Sequence, residues 1–280
     1  MKIKIISAIL ALALASMACG FTVDLPNQAK AGPDVTDKIT VADPESDETR
    51  LSLSFGAGTL TLSPGAQGLV EGTALYNVKE FKPEIVKNGG NIEIKQGNFE
   101  GIPPFDEIKN DWDLKLGKSP MDLTIEAGAY EAKVELGGLA LKSLTVKDGA
   151  AKVNLSFSEP NRVEMSRLSY STGASEVKLT GLANANFSAF NFDGGAGSHT
   201  LDFSGELQRD ASVKVNSGLS DLTLIIPSGM NAVVTVDSGL SDIKTGEGWS
   251  QNGNVYSHEG SGPTLMIVIN MGAGSVTLKE

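Results

Sequence analysis

Cysteine, histidine and tryptophan are almost missing from this chain: one Cys, two His and two Trp in 280 residues. A single thiol, Cys19, rules out a disulfide framework. Two histidines, His199 and His258, are too few and too far apart for a histidine-based zinc site or a histidine-activated nucleophile. No G-x-S-x-G elbow occurs. Aromatic residues make up only 6%. Basic residues are short as well, with 23 Lys and Arg against 34 Asp and Glu, for a formal net charge of −11. That balance argues against a nucleic-acid partner. The apolar run from Ile5 to Ala15 falls short of the about 20 residues that span a bilayer.

What is abundant is glycine, 32 residues, in a chain that is 40% hydrophobic. Many turns and few helix-favouring runs point to β structure. The first residues are a separate matter. Lys2 and Lys4, the apolar run, and the small residues Ser16 and Ala18 read as an export signal over residues 1–18. Its removal takes two lysines and moves the charge from −11 to −13.

The run ends S-M-A-C at Cys19. This resembles a bacterial lipoprotein signal, in which the cysteine is lipidated and becomes the first mature residue. Ser16 stands where that family usually has Leu. The resemblance implies a protein outside the cytoplasm, held to the bacterial cell membrane through Cys19. Two or more acyl chains suffice for stable anchoring. Residues 19–48 carry Pro26, Gly32, Pro33, Pro44 and the acidic cluster Asp43 to Glu48, with no hydrophobic period. They read as a tether. The cluster lacks flanking structure to shape a cation site.

From residue 49 the chain alternates apolar and polar residues, as in LSLSF, TLTL, NIEIKQ, WDLKL and MDLTIEA. That period of two marks half-buried strands. A short helix fits Phe105 to Asp111. A repeat then emerges. Gly56, Gly128, Gly149, Gly173, Gly195, Gly218, Gly239 and Gly272 each precede an apolar-rich pair four and six places on. From Gly128 the steps are 21, 24, 22, 23, 21 and 33 residues. A second column, Leu144/Val146, Leu168/Tyr170, Phe190/Phe192, Val213/Val215 and Val234/Val236, advances with it. Two strand columns moving together mean one coil per repeat, a solenoid with coils of about 22 residues. The glycines are expected where the chain turns sharply with positive φ. The 33-residue step holds GEGWSQNGNVY, an inserted loop or hairpin.

The stretches GAGTLTLSPGAQGLVEGTALYNVKEFKPEIVKNGGNIEIKQ, WDLKLGKSPMDLTIEAGAYEAKVELGGLALKSLTVKDGAAKV and TGASEVKLTGLANANFSAF resemble the bacterial toast-rack domain. SGLSDLTLIIPSGMNAVVTVDSGLSDI is similar to adhesin-type β-solenoids and to the C-terminal domain of cell-envelope stress sensors. The resemblance covers residues 50 to 280. It implies a β-solenoid outside the cytoplasm with no established catalytic residues. The expected architecture is all-β: a right-handed single-stranded β-helix or β-solenoid with an N-terminal β-strand cap region. Its division is a signal peptide (1–18), a tether (19–48), an N-terminal β region of toast-rack type (49–127) and the solenoid (128–280).

Candidate chemistry is thin. GGAGSHTLDF partly matches the calcium repeat G-G-x-G-x-D-x-apolar-x, but His199 fills the aspartate position. His199 also falls in the inward column of Val153, Val177 and Leu222, so it reads as a coil residue. LGKS lacks the first glycine of a phosphate loop. NSGLSD (216–221) and DSGLSD (237–242) lie one coil apart. They place Asp221 above Asp242 and Asn216 above Asp237, as solvated turn residues or as a shared cation site. Phe187, Phe190 and Phe192 suit the core better than a sugar platform. A polysaccharide lyase needs acidic metal ligands and a base on one groove, and Arg162, Arg167 and Arg209 do not align with such a set. No catalytic residue, cofactor or metal is expected.

The reading is therefore a non-enzymatic, lipid-anchored envelope protein presenting a β-solenoid for adhesion, scaffolding or envelope-stress-related binding. The alternative is a carbohydrate-binding or polysaccharide-cleaving β-helix. The expected partners are the membrane, through the anchor, and an envelope protein or glycan. Trp249 and Tyr256, in the inserted segment, are the candidate contact residues. Self-association is expected through the C-terminal coils, whose last copy, GAGSVTLKE, has little sequence after it to cover it. The anchor is directly testable: Cys19→Ala shifts the protein from the detergent-extracted membrane fraction to the soluble fraction. Recovery of the variant with the membranes, as for wild type, refutes lipidation.

Overall fold

The computed structural model describes residues 31–46, 48–97 and 108–280; Cys19 and the export signal lie outside the described residues. Among the described residues fifteen strands make one sheet. They are β1 (Val35–Val41), β2 (Thr49–Pro64), β3 (Val70–Tyr76), β4 (Pro83–Asn88), β5 (Asn91–Gln96), β6 (Asn110–Leu116), β7 (Met121–Glu135), β8 (Leu141–Ser156), β9 (Met165–Thr180), β10 (Phe187–Asp202), β11 (Ala211–Ile225), β12 (Gly229–Thr245), β13 (Trp249–Asn252), β14 (Val255–His258) and β15 (Gly260–Lys279). Asn110 and Asp111 open β6 as strand, while residues 105–107 of the helix expected over Phe105 to Asp111 lie outside the described residues.

Each long strand is one coil with two limbs. β7 buries Met121, Leu123 and Ile125, then Tyr130, Ala132 and Val134. Odd positions face inward before Gly128 and even positions after it. The period of two slips by one residue at the glycine, so both limbs aim their apolar side chains at the same core. The pattern repeats in β9, which buries Leu168, Tyr170 and Thr172, then Ser175, Val177 and Leu179. Coils stack as parallel neighbours in the order β2, β7, β8, β9, β10, β11. One inward row of the second limb runs Leu60, Ala132, Val153, Val177, His199 and Leu222 across these strands.

The repeat glycines form a column of touching backbones. A Cβ on Gly128 would lie 2.5 Å from the carbonyl oxygen of Gly56, and one on Gly149 2.7 Å from that of Gly128. On Gly173 it would meet the Gly149 oxygen at 2.3 Å, and on Gly195 the Gly173 oxygen at 2.4 Å. These glycines do not have positive φ, contrary to expectation. Positive φ falls instead two places later in some coils, at Gly58, Gly197 and Gly274. The spine needs glycine for close approach of neighbouring coils, not for a left-handed turn.

Three sequence expectations are corrected. The tether does not run to residue 48, because Val35–Val41 pairs antiparallel with β3 as strand β1 and buries Ile39 and Val41. Its alternation is short and sits beside an acidic cluster, which masked it. No boundary falls between residues 127 and 128, because β7 runs through both and β2 already stacks on it as a coil. The last strand is not the terminal coil. β15 inserts between β11 and β12 and pairs with both along its length. Asn270 therefore separates Asn216 from Asp237, and Ser275 separates Asp221 from Asp242. The Ser275 hydroxyl donates to Asp221 at 2.6 Å and the Asn270 amide to Asn216 at 2.9 Å.

The ends are built differently. β5 covers the first limb of β2 and β6 the second. β4 extends from β5, and β3 and then β1 extend from β6. At the far end β14 covers Ala232–Thr235 of β12, with β13 beyond it.

The spine predicts a sharp contrast between adjacent exposed residues. Gly173→Ala forces a Cβ against the Gly149 carbonyl and should lower stability by about 3 kcal/mol. Ala174→Ser, one residue on, should change it by less than about 0.5 kcal/mol. Thermal unfolding of the two variants side by side measures this; equal melting temperatures would discount the spine.

Candidate functional site

At the corner the coils depart from apolar packing. The residues just before the spine glycines are Phe55, Ala127, Asp148, Thr172, Gly194, Ser217, Met271 and Ser238 in spatial order. Four of these eight carry a hydroxyl or carboxylate. Asp148 is the centre. It accepts a hydrogen bond from the Tyr170 hydroxyl at 2.8 Å and from Tyr130 at 3.4 Å. Thr172 donates to its other oxygen, and the Thr172 hydroxyl also bonds Ser175 at 2.5 Å. Burial, and then the neighbouring tyrosine and Asp148, raise the Tyr170 hydroxyl far above its ordinary value. Burial and Asp148 raise Tyr130 in the same way. Both therefore stay neutral donors to a carboxylate.

His199 sits one coil further along. It is fully buried, and neither ring nitrogen has a hydrogen-bond partner. Its ring packs edge-on against Phe192, with centroids 5.1 Å apart. It occupies the space a side chain at Gly194 would take: a Cβ there would lie 2.8 Å from His199 Nε2. The neighbouring coils fill that space with the Thr172–Ser175 and Ser217–Ser220 hydroxyl pairs. Burial holds the imidazole below its ordinary value, against the pull of Asp148 in the other direction. As the column pattern requires, His199 is an inward coil residue between Val177 and Leu222.

Outside the corner runs an open groove of about 780 Å³, lined by Asp148, Thr172, Asp193, Gly194, Asn216 and Ser217 among others. A ladder of polar side chains follows it. Asn216 donates to Asp193 at 2.6 Å, Asn270 to Asn216 at 2.9 Å, and Asn254 to Asp237 at 3.2 Å. Such a ladder recurs at the strand spacing of about 4.8 Å. Its acceptors and donors face solvent in a row, and it can engage a partner with its own regular row of polar groups. Among the described residues no three His, Cys, Asp or Glu come together to hold a metal ion. None of those residues forms a helix long and apolar enough to cross a membrane.

The structure does not place the two expected contact residues on an open surface. Tyr256 is buried, and its hydroxyl accepts from Gln251 at 3.1 Å. Trp249 is half-buried, packs against the core, and lies tilted against His258, with centroids 5.2 Å apart. Both belong to the hairpin that caps β12, where large amphipathic rings close an apolar end. Phe187, Phe190 and Phe192 are buried core residues. Sequence reasoning missed the Asp148 cluster. Its signal was present, a polar residue before the spine glycine in successive copies, but its partners Tyr130 and Tyr170 are read only from the stacking.

Residues 30–167 and 160–225 match the family model described as the N-terminal domain of toast_rack, DUF2154. A candidate cell adhesion protein from Clostridium sporogenes is similar in structure, with a TM-score of 0.52 and 22% identity over 88% of this chain and 99% of that one. A candidate adhesin from Bacteroides fragilis has a TM-score of 0.49 and 11% identity over 90% and 99%. No curated protein matches in sequence.

His199 gives a signed pH prediction. As pH falls through its ordinary value of 6.5, the unfolded chain takes up the proton before the folded one. Stability from neutral burial is full above that value and declines below it. His199→Val should shift stability at neutral pH by about 1 kcal/mol and gain on wild type between about pH 7 and about pH 5. Urea unfolding across this range measures it; parallel pH profiles refute it.

Proposed function

This chain belongs to the toast-rack family, and from that membership we propose a non-enzymatic envelope protein that is held at the membrane through Cys19 and presents its coils for adhesion or scaffolding. The observation that carries the reading is the division of labour in each coil. Apolar columns fill the interior, so recognition falls to the outer rows. The connected outer row beside the groove is the Asp193–Asn216–Asn270 ladder. The same architecture in a candidate cell adhesion protein supports an adhesive role. A ladder that repeats with the coils suits a repeating partner, because each further step adds a contact without new chain entropy.

The groove also favours a second reading, carbohydrate binding. Its carboxamides, carboxylates and hydroxyls are the groups that hydrogen-bond sugar hydroxyls, and the glycine spine leaves the flanking surface free of side chains. Incubation of the full chain with isolated envelope glycans separates these readings. Retention without products supports binding, and release of products identifies a cleaving enzyme. For adhesion, cells displaying the protein should bind surfaces in proportion to its expression, and Asn216→Ala with Asn270→Ala should reduce attachment several-fold while leaving the melting temperature nearly unchanged. Unchanged attachment with the ladder removed overturns the groove as the adhesive surface.

A further inference from the structure

The two ends of the coil stack are not equally closed. At the N-terminal end both limbs of β2 are covered, by β5 and by β6. At the other end the β14 hairpin covers only the first limb of β12. The second limb, residues 238–245, pairs with β15 on one side and, among the described residues, with no strand on the other. Ile243, which continues the inward row, is only partly buried there. Beside it Leu240 is 82% exposed, and Leu219, two strands in with Ala273 between them, is 65% exposed. In the other coils this outward position holds alanine: Ala57, Ala129, Ala150, Ala174 and Ala196. Leucine appears only near the open edge.

We propose that this edge receives an extended segment of another polypeptide as one further parallel strand, with glycine opposite Gly239, apolar residues opposite Leu240 and Ile243, and Lys or Arg opposite Asp242. An open limb offers a row of backbone donors and acceptors. The glycine follows from the spine. Each coil stacked beyond β2 sets its glycine so that a Cβ would come within 2.3 to 2.9 Å of the neighbouring glycine carbonyl, and Gly239 is the last of the column. The apolar positions extend the Leu219–Ala273–Leu240 ridge and complete the burial of Ile243. The basic position follows from charge. Asp237, Asp242 and Glu247 are exposed along this edge, and among the described residues Asp242 forms an ion pair with the equally exposed Lys244, at 3.2 Å. A second copy of this chain would bring the same carboxylates and a net charge of −11 to the contact, and like charges across a strand pair are destabilising.

A synthetic peptide of residues 216–225 carrying Asn216→Lys and Asp221→Lys is a suitable probe. It presents Gly218, Leu219 and Leu222 where they meet Gly239, Leu240 and Ile243. Added to the full chain, it should slow amide exchange at 238–245 and bind with measurable anisotropy. Gly218→Val in the peptide should weaken binding by about tenfold or more. Asp242→Lys in the protein should weaken the lysine peptide and favour the native-sequence one. No protection at 238–245, or equal binding by the lysine peptide and its Gly218→Val form, overturns the proposal. A free protein that sediments as a dimer with 238–245 already protected assigns the edge to a second copy instead, and equally overturns it.

Discussion

Everything in this molecule is arranged around the contact between one glycine carbonyl and the Cα of the next glycine along the stack. Neighbouring backbones meet there at a distance no side chain tolerates. The contact fixes where the coils bend and which residues face inward on each limb, because the slip in side-chain period occurs at the same residue. It also fixes lateral register. A shift of one residue would set a spine glycine against a residue with a Cβ and turn the inward rows outward. The spine therefore acts as an index that each new strand must match, and apolar burial in the rows on either side supplies the driving force.

The corner beside the spine is where this economy fails to be purely apolar. The inward side chains nearest the bend are close to solvent, and several coils place hydroxyls there in pairs that satisfy each other. Asp148 is satisfied there because Tyr130, Tyr170 and Thr172 all donate to it. His199 breaks the sequence of pairs. With glycine at 194 and 197, its coil has no hydroxyls at the corner, and the imidazole swings into the gap with both nitrogens unsatisfied. A buried polar group without a partner costs of the order of 1–3 kcal/mol. The stretch that partly matches a calcium repeat thus contributes a buried, unpartnered imidazole to the column.

The sequence made the coils legible because their signal is local and repeated: glycine, then inward residues at fixed offsets. His199 was placed in its row, and Phe190 and Phe192 in the core, by counting alone. The same counting misplaced the end of the stack, since it assumes that coils follow one another in chain order. It also gave Trp249 and Tyr256 the wrong surroundings. Whether an aromatic hairpin projects into solvent or folds over an apolar end depends on what lies beneath it, and an isolated strand such as β1 is seen only when β3 is there to pair with it. Strand partners distant in sequence leave no periodic trace.

The order of the last three coils nevertheless has a physical cause written in the side chains. NSGLSD and DSGLSD are so alike that β12 could lie directly on β11 with glycine upon glycine. That arrangement would put Asp242 beside Asp221, two carboxylates in one exposed column with no cation between them, a destabilising pair. β15 relieves this. It carries Ser275 and Asn270 in the two polar columns, donates from both to β11, and adds Ile267 and Ile269 to the apolar rows between Val213/Val215 and Val234/Val236. The chain must therefore pass β11 by, build β12 and its hairpin, and return across 54 residues, from Ala211 to Leu265, before the stack closes. Such a long-range pairing is slow to form, and until it forms β11 and β12 both show open edges. Like charge at Asp221 and Asp242 disfavours direct pairing of those two edges. The carboxylate left at the outer edge, Asp242, is the remainder of that device, and it sets the charge that any further strand must answer.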